Sequence, residues 1–386
     1  MISTSRYVEK KIILSIIILT MMFIVLFANF TVTVNVLKRI EAANIKSLPS
    51  AIKGSEKLYN SQFPNKSFYI DLNSLFLKAI NKHEMNGVTR DHSNYLHVIN
   101  INIPDTLTIE KDSQTILTLF KHARKNNIKF IFVQAPSKVI NGKTLLPTGV
   151  RDFTNKKYDI WRQIMVKNSV PVLDLRESLK GNIDFYKTDH HWTTTTSMHA
   201  AESIIEALNT KYNTGITPYW ADSNRPQYKK KVWQKSFLGS YGIKVGRFFY
   251  SGKDDFEMYV PTFKTNIEYT HYMNGKIEKK KIGTFEKAFL NYEILNDPNY
   301  KNKYNACLFG GYVENVILNH YAANNTKALL VTDSFGRSMS QYLSLYFKEL
   351  RYLDPQKGRY NDSYIKYMDQ YKPQIVIVMY NSFISL

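Results

Sequence analysis

The sequence predicts an α/β fold in which helices cover both faces of a parallel sheet. Two observations lead to this prediction: short continuous apolar runs, as in buried parallel strands, and amphipathic segments of helical length that alternate with them. The runs are residues 128–133 (IKFIFV), 170–175 (VPVLDL), 327–332 (KALLVT) and 374–380 (QIVIVMY). Strands and helices that alternate along the chain are typical of a sheet whose parallel strands are joined by crossover helices.

The predicted helices carry apolar residues at helical spacing. In residues 110–126, Ile116, Leu119 and Phe120 would lie on one face. The other predicted helices are residues 153–167, a helix that begins at about Thr194, residues 335–349 and residues 361–371.

Residues 106–386 are predicted to form one domain with a strand-rich insertion at about 212–325. The insertion breaks the alternation and is rich in Tyr, Lys and Gly, with the strand-like pieces RFFY, FEMYV and TNIEYT. We expect it to lie over the sheet and not to form a second domain. Residues 38–105 are interpreted as a tether that leads into this domain.

The N-terminus predicts a single transmembrane anchor at residues 12–37, because these 26 residues carry no charge. About 20 apolar residues suffice to cross a bilayer as a helix. Arg6, Lys10 and Lys11 precede the run, so residues 1–11 would form a cytoplasmic tail and the rest of the chain would lie outside the cytoplasm. A cleaved signal peptide is the alternative, but Ala28 matches its cleavage site poorly.

The composition favours anionic partners, since 52 Lys and Arg face 32 Asp and Glu and give a net charge of +20. The basic residues are dispersed and no nucleic-acid-binding motif accompanies them, so nucleic acid is not an expected partner. The single cysteine, Cys307, excludes an intrachain disulfide.

Polar residues follow the predicted strands at their carboxyl ends, where open parallel sheets bind their ligands. Lys138 follows the first strand, Ser334 the third and Asn381 the fourth, while the motif DHHW (residues 189–192) lies a short loop after the second. We therefore expect these residues to converge on one edge of the sheet.

Ser334 lies in the motif DSFG, directly between a predicted strand and a predicted helix. Such a turn raises a serine hydroxyl to the sheet edge and directs helix N-terminal N–H groups at a developing oxyanion. The alternative is a helix N-cap without chemical function, which is common for Ser and Asp.

The motif DHHW allows three interpretations. In an extended segment Asp189 and His191 would lie on one side and His190 on the other, so the carboxylate could orient the His191 imidazole as a catalytic triad requires. A metal site would use His190 and His199 as further ligands, but adjacent histidines should diverge and no cysteine completes the set. We therefore predict no metal and no other cofactor. A helix cap would account for the threonines after Trp192 but not for the Asp–His pair.

The motifs TDHHWT and VTDSFG, in this order, resemble the DHHW group of SGNH-like proteins, relatives of the O-acetyltransferases that modify alginate and other exopolysaccharides. Ordinary SGNH hydrolases have the serine block first, so the motif order here is permuted. The resemblance covers the anchor and most of residues 85–386, including APSK, FLGSYG and VMYN. It implies an SGNH-hydrolase-like sheet, with Ser334 as nucleophile, His191 as general base and Asp189 as its orienting carboxylate.

The resemblance defines the oxyanion hole less closely. Thr332 stands where SGNH proteins usually have glycine, and the GxND block is not recognisable. The candidates for oxyanion or substrate contacts are Phe335, Tyr380, Asn381, Lys138, Trp192 and Gly239.

The sequence therefore predicts a membrane-anchored, extracytoplasmic O-acyltransferase that acetylates hydroxyls of a cell-surface polysaccharide or glycopolymer. The resemblance implies an integral-membrane acyltransferase as the acyl donor. A carbohydrate esterase with the same triad and a non-catalytic polysaccharide-binding or assembly protein are the alternatives.

Overall fold

The computed structural model describes residues 15–16, 19–20, 22–23, 27, 30–41, 48–63, 66–220, 227–250, 252–311, 313–356, 359–360 and 363–381. The predicted cytoplasmic tail and most of the predicted anchor lie outside these residues. Among the residues described, no helix combines the length and the apolar character that crossing a membrane requires.

The chain divides into two compact units, residues 1–73 and 74–386. The first unit contains helices α1 (Phe30–Glu41) and α2 (Leu48–Gln62) and the first part of α3 (Lys66–Ala79).

The second unit contains the end of α3, the strands found among the described residues, and the helices that follow α3. The strands are β1 (Glu84–Met85), β2 (Val88–Arg90), β3 (Leu96–His97), β4 (Lys129–Gln134), β5 (Val172–Asp174), β6 (Tyr228–Phe237), β7 (Asp254–Pro261), β8 (Ile267–Met273), β9 (Lys276–Gly283), β10 (Glu314–Asn319), β11 (Lys327–Thr332), β12 (Glu349–Leu353) and β13 (Ile375–Tyr380). The helices are α4 (Thr106–Lys125), α5 (Thr154–Lys167), α6 (Leu175–Ser178), α7 (Thr194–Tyr212), α8 (Ser240–Val245), α9 (Phe285–Phe289), α10 (Tyr292–Asn296), α11 (Phe335–Leu343) and α12 (Tyr364–Tyr371).

An eight-stranded central sheet has the order β5-β4-β13-β11-β12-β10-β8-β9. The first five strands are parallel, and β10, β8 and β9 continue the sheet in antiparallel pairs. The other two sheets are small: β1-β2-β3 and the ribbon β6-β7. The predicted α/β class with a mostly parallel sheet is confirmed.

Apolar side chains cover both faces of the parallel strands. In β13, Ile375, Ile377 and Met379 belong to one core cluster, whereas Val376, Val378 and Tyr380 belong to the cluster on the opposite face. Helices α7 and α11 contribute to the first cluster, and α4, α5 and α12 to the second. Because both faces of these strands are buried, their sequences are continuous apolar runs.

Two local predictions were wrong. The predicted helix 335–349 ends at Leu343 and is followed by a 3₁₀ turn (Ser344–Tyr346) and strand β12, which sequence reasoning missed. β12 alternates between the two faces, with Leu350 and Tyr352 in one core, so apolar residues alone did not distinguish it from helix. The piece RFFY (247–250) forms a turn in which Phe249 and Tyr250 are buried.

Candidate active site

A continuous hydrogen-bonded chain joins Asp189, His191 and Ser334. Asp189 Oδ1 lies 2.5 Å from His191 Nδ1, and His191 Nε2 lies 2.9 Å from Ser334 Oγ. The carboxylate and the imidazole are buried, whereas Ser334 is partly exposed. A partly exposed hydroxyl, a buried imidazole and an orienting carboxylate form the arrangement that activates a serine as a nucleophile.

The turn between β11 and α11 holds the Ser334 hydroxyl at the sheet edge. A Cβ on Gly336 would lie 2.1 Å from Thr332 Cγ2, so only glycine allows the helix to begin this close to the strand. Asp333 fixes the turn, because its Oδ1 accepts the Phe335 N–H at 2.9 Å and its Oδ2 accepts the Asn381 N–H at 2.9 Å.

The N-cap interpretations hold for neighbours of the predicted catalytic residues but not for those residues themselves, because Asp333 makes the capping bond of the DSFG motif with the Phe335 N–H. Ser334 makes no side-chain cap hydrogen bond, and its hydroxyl faces His191 instead. At the other motif, Thr193 caps α7, since its Oγ1 accepts the Thr196 N–H at 3.3 Å. The Asp–His pair that precedes Thr193 is therefore free of a capping role.

The loop that carries Asp189 is packed against the start of α8. A Cβ on Gly239 would lie 2.2 Å from Asp189 Cβ, and this close approach lets the Ser240 N–H donate to Asp189 Oδ2 at 2.6 Å. The Gly239 N–H donates to Thr188 Oγ1 at 2.9 Å. Gly239 thus supports the carboxylate, and its N–H is not available as the predicted oxyanion or substrate contact.

The prediction that His190 diverges from His191 was wrong. The segment is bent, not extended, and the two imidazole centroids are 3.8 Å apart. His190 Nδ1 lies 3.0 Å from Ser240 Oγ and 3.5 Å from Asp189 Oδ1. The alternation of side chains applies only to extended backbone.

The pKa values suit a carboxylate and a neutral imidazole. Burial opposes the charge on Asp189, but His190, His191 and the hydrogen bonds outweigh it and hold the pKa of Asp189 well below its usual range. Burial lowers the pKa of His191, Asp189 raises it, and the charges of Arg337 and Lys138 lower it further, with a net decrease. A neutral His191 can accept the Ser334 proton.

Asp189, His190 and His191 bring their donor atoms within 4.8 Å of one another, so their spacing alone could suit a metal ion. In this geometry both His191 nitrogens and both Asp189 oxygens already take part in hydrogen bonds. The fourth ligand of the metal hypothesis, His199, instead pairs with Glu202 at 3.0 Å.

Lys138 holds the backbone of the Asp189 loop and does not face Ser334. Its Nζ donates to the carbonyl oxygens of Tyr186, Lys187 and Asp189 at 2.7, 3.0 and 2.5 Å. These bonds use all three ammonium donors. Burial lowers the pKa of Lys138 to about 7, although nearby carboxylates, Asp254 and Asp189 foremost, raise it. The predicted oxyanion or substrate role of Lys138 is replaced by a role in positioning the loop.

Three other predicted contact residues are buried. Trp192, Phe335 and Tyr380 are at most 2% exposed, and the Phe335 N–H is bonded to Asp333. Trp192 and Phe335 pack against each other beneath the histidines, with ring centroids 5.4 Å apart. These side chains therefore support the site from within the core and do not reach substrate.

Asn381 follows β13 at the same edge as Ser334, because Thr332 pairs with Met379 in the parallel register. Its Oδ1 accepts the Tyr158 hydroxyl at 2.6 Å. This bond leaves the side-chain N–H donors of Asn381 without an acceptor among the described residues.

Sequence reasoning missed Tyr304 and Asp254. The Tyr304 ring stacks on His191 with centroids 3.9 Å apart, and its hydroxyl donates to the Ser334 carbonyl oxygen at 3.1 Å. Asp254 accepts the N–H groups of Lys187 and Thr188 at 2.7 and 2.8 Å. Neither residue belongs to a recognisable sequence motif, and only the tertiary structure brings each of them to the site.

Residues 102–233 match a family model described as "SGNH hydrolase-like domain, acetyltransferase AlgX". The match covers about a third of the chain and includes Asp189 and His191, but it ends before Ser334. Among curated proteins, no relative matches the chain. The family match confirms the resemblance to SGNH-like O-acetyltransferases and the predicted enzyme class.

Solved structures share the fold at low sequence identity. PatB1 of Bacillus cereus is 19% identical, with a TM-score of 0.58 over 76% of this chain and 95% of that chain. PatB1 with a sulfonyl adduct matches with 19% identity and a TM-score of 0.57, over 78% of this chain and 95% of that chain. A DHHW family protein from Eubacterium siraeum is 14% identical, with a TM-score of 0.56 over 78% of this chain and 92% of that chain.

The contacts of Lys138 predict a loss of activity when its charge is removed. In Lys138→Met the three carbonyl oxygens lose their donor and the Asp189 loop shifts, and a displacement of about 1 Å in such a site can slow catalysis about 10²-fold. The measurement is the rate at which a sulfonyl fluoride modifies Ser334, followed as a function of pH.

Loss of the Lys138 charge should also move the acidic limb of the pH profile to higher pH, because that charge helps to lower the pKa of His191. The control is Lys143→Met, because Lys143 is exposed and lines one small cavity together with Lys138. This variant should leave the labelling rate and the position of the acidic limb unchanged. If Lys138→Met and Lys143→Met had the same labelling rate and the same acidic limb, Lys138 would not position the Asp189 loop.

Proposed function

We propose that this protein O-acetylates a cell-surface polysaccharide or glycopolymer through Ser334, His191 and Asp189. The match of residues 102–233 to the SGNH hydrolase-like acetyltransferase model supports this proposal. The observation that supports this most directly is the hydrogen-bonded chain from Asp189 through His191 to the partly exposed Ser334 hydroxyl. A hydroxyl on an open sheet edge suits an acceptor that is part of a polymer.

The proposed reaction has two steps. His191 Nε2 takes the Ser334 proton while Oγ attacks the acetyl carbonyl of the donor; the donor's leaving group departs with that proton, and an acetyl ester remains on Ser334. A sugar hydroxyl then attacks the ester, gives its proton to His191, and the bond to Ser334 Oγ breaks as the proton returns to the serine. Asp189 stabilises the imidazolium in both steps.

The oxyanion donors that we assign are the main-chain N–H of Ser334 and the side-chain amide of Asn381. Neither has an acceptor among the described residues, and both follow neighbouring strands, β11 and β13. The Tyr158 hydroxyl fixes the Asn381 amide by its bond to Oδ1. Two preorganised donors at the developing oxyanion are typical of acyl-transfer sites.

The first test of the proposal is covalent labelling of Ser334. A sulfonyl fluoride or a chromogenic acetyl ester should add one acyl or sulfonyl group, which peptide mapping places in ALLVTDSFGR. Ser334→Ala should show no adduct, and Asp189→Asn should slow turnover by about 10⁴-fold because it leaves His191 in the wrong tautomer.

Added oligosaccharide acceptor should increase turnover of the ester if transfer is the reaction. Turnover that is indifferent to acceptor and releases only acetate would support the esterase alternative. Identical behaviour of wild type and Ser334→Ala would contradict any role of Ser334 as a nucleophile and would favour the binding-protein alternative.

The pH dependence of acylation should report the protonation of His191. The neutral imidazole is the active form, so the rate is full above the pKa of His191 and falls as the pH decreases through it. Because burial lowers this pKa from 6.5, the acidic limb should lie below pH 6.5 in the rate of ester turnover under single-turnover conditions. A limb above pH 6.5 would contradict a neutral, buried base.

We further propose that one uncleaved N-terminal helix anchors the protein, with its catalytic domain outside the cytoplasm and an integral-membrane acyltransferase as acyl donor. The charge-free run at residues 12–37 and the basic residues before it support this topology. Protease added to intact spheroplasts should digest the catalytic domain while a cytoplasmic marker survives. Full protection of the domain until the cells are lysed would contradict the topology.

A further inference from the structure

A polar cavity of about 570 Å³ opens at the same sheet edge as Ser334. Its walls are α12, with Ser363 before it, and the turn between β8 and β9, and its floor contains side chains of β12 and β10. The volume falls within the range of about 300–1,000 Å³ that is usual for ligand sites.

The strand registers relate this cavity to the Ser334 turn. Val331 of β11 pairs with Leu353 of β12, Leu353 with Glu314 of β10, and Glu314 with Tyr272 of β8. This row crosses the sheet at the level where β11 turns towards Ser334. Neighbouring strands lie about 4.8 Å apart, so β10 is about 10 Å from β11. A polymer that follows the edge can therefore extend from the cavity to Ser334.

Arg351 provides a fixed set of hydrogen-bond donors on the cavity floor. Its guanidinium packs on Tyr371 at 4.1 Å, its Nε donates to Glu349 at 2.7 Å and its Nη1 donates to the Tyr367 hydroxyl at 3.3 Å. A guanidinium has five N–H donors, and those not used in these bonds have no acceptor among the described residues. A guanidinium held in this way presents paired N–H donors whose geometry matches the oxygens of a carboxylate or a phosphate.

The rest of the lining also fits a charged sugar. Among the described lining residues, Arg351, Arg359 and Lys366 are cations and Glu314 is a carboxylate. Arg351 is paired with Glu349 at 2.7 Å and Arg359 with Asp354 at 3.1 Å, whereas Lys366 makes no ion pair with a described residue. Glu314 accepts the Tyr367 hydroxyl at 2.6 Å through one oxygen, and its second oxygen can accept a sugar hydroxyl.

Aromatic rings and amides complete the lining. Tyr272 and Tyr360 are only partly buried, so their rings can pack on the apolar C–H faces of a pyranose. Asn274 and Gln370 offer amide groups at the rim.

We propose that this cavity binds an anionic sugar unit of the acceptor glycan and so holds the polymer along the edge on which Ser334 lies. The inference rests on the proposed acetyl transfer and specifies its acceptor as an acidic glycan, with the anion either a uronate carboxylate or a backbone phosphate. Arg351 binds the anion, Lys366 adds positive charge at the rim, and Glu314 accepts a hydroxyl.

The test is native affinity electrophoresis of the full chain in detergent, in gels that contain polygalacturonate, poly(glycerol phosphate) or neutral dextran. Wild-type protein should be retarded by an anionic polymer and not by dextran. Retardation by polygalacturonate alone assigns the anion to a carboxylate, and retardation by poly(glycerol phosphate) alone assigns it to a phosphate. Retardation by both supports a site for either anion, and equal retardation by dextran overturns the inference.

Two cavity variants and a matched control locate the binding. Arg351→Gln should raise the dissociation constant about tenfold, since it removes a charge-assisted contact. Lys366→Glu reverses an exposed charge on the wall and should weaken binding, whereas Lys111→Glu makes the same charge change at an exposed position of α4 and should not. Should Arg351→Gln fail to fold, the comparison of Lys366→Glu with Lys111→Glu still tests whether the polymer binds in the cavity. Equal weakening by these two variants would show general charge attraction and overturn the site.

Labelling of Ser334 by a sulfonyl fluoride, followed in the same preparations, separates the two proposals. Wild-type protein that is labelled but not retarded contradicts the glycan site alone. Protein that is retarded but not labelled contradicts the acyl-transfer chemistry alone.

Discussion

The hydrogen bond between His191 Nε2 and Ser334 Oγ joins residues 143 positions apart, and the geometry of the site depends on it. Its 2.9 Å length requires that the loop before α7 and the turn after β11 both lie at one sheet edge. The parallel register of β4, β13, β11 and β12 provides this edge, because carboxyl ends of parallel strands lie side by side. Asp333 holds the turn after β11, and Lys138 holds the loop that carries Asp189.

Charges buried at the site are compensated locally. Asp189 is 1% exposed, and its carboxylate is stabilised by His191 and by main-chain N–H groups. A buried carboxylate without such partners would lose its charge, since desolvation raises its pKa. Gly239 makes this compensation possible, because any side chain there would overlap Asp189. The absence of a side chain at Gly239 thus allows main-chain N–H groups to stabilise the charge of Asp189.

The antiparallel strands β10, β8 and β9 extend the sheet beyond the parallel strands that helices cover. Polar residues of β12 and β10, Arg351 and Glu314 among them, occupy the floor of the cavity beside α12. In our proposals the catalytic residues lie at the edge of the parallel part of the sheet, and the antiparallel part helps to form the cavity that binds the acceptor glycan. Both use the same edge, so one polymer can contact both.

The sequence by itself determined the α/β class, the four principal parallel strands and the meeting of Asp189, His191 and Ser334. Continuous apolar runs require burial on both faces, and the ends of buried parallel strands share an edge, so local pattern was sufficient for these features. It did not determine β12, whose apolar residues were read as the end of a helix, or the bent backbone that stacks His190 on His191. Tertiary structure alone decided that Lys138 binds three carbonyl oxygens, that Trp192 and Phe335 are core residues, and that Tyr304 stacks on His191. Each of these contacts joins segments distant in the chain, and no spacing within a motif records which distant atoms a side chain will meet when the chain is packed.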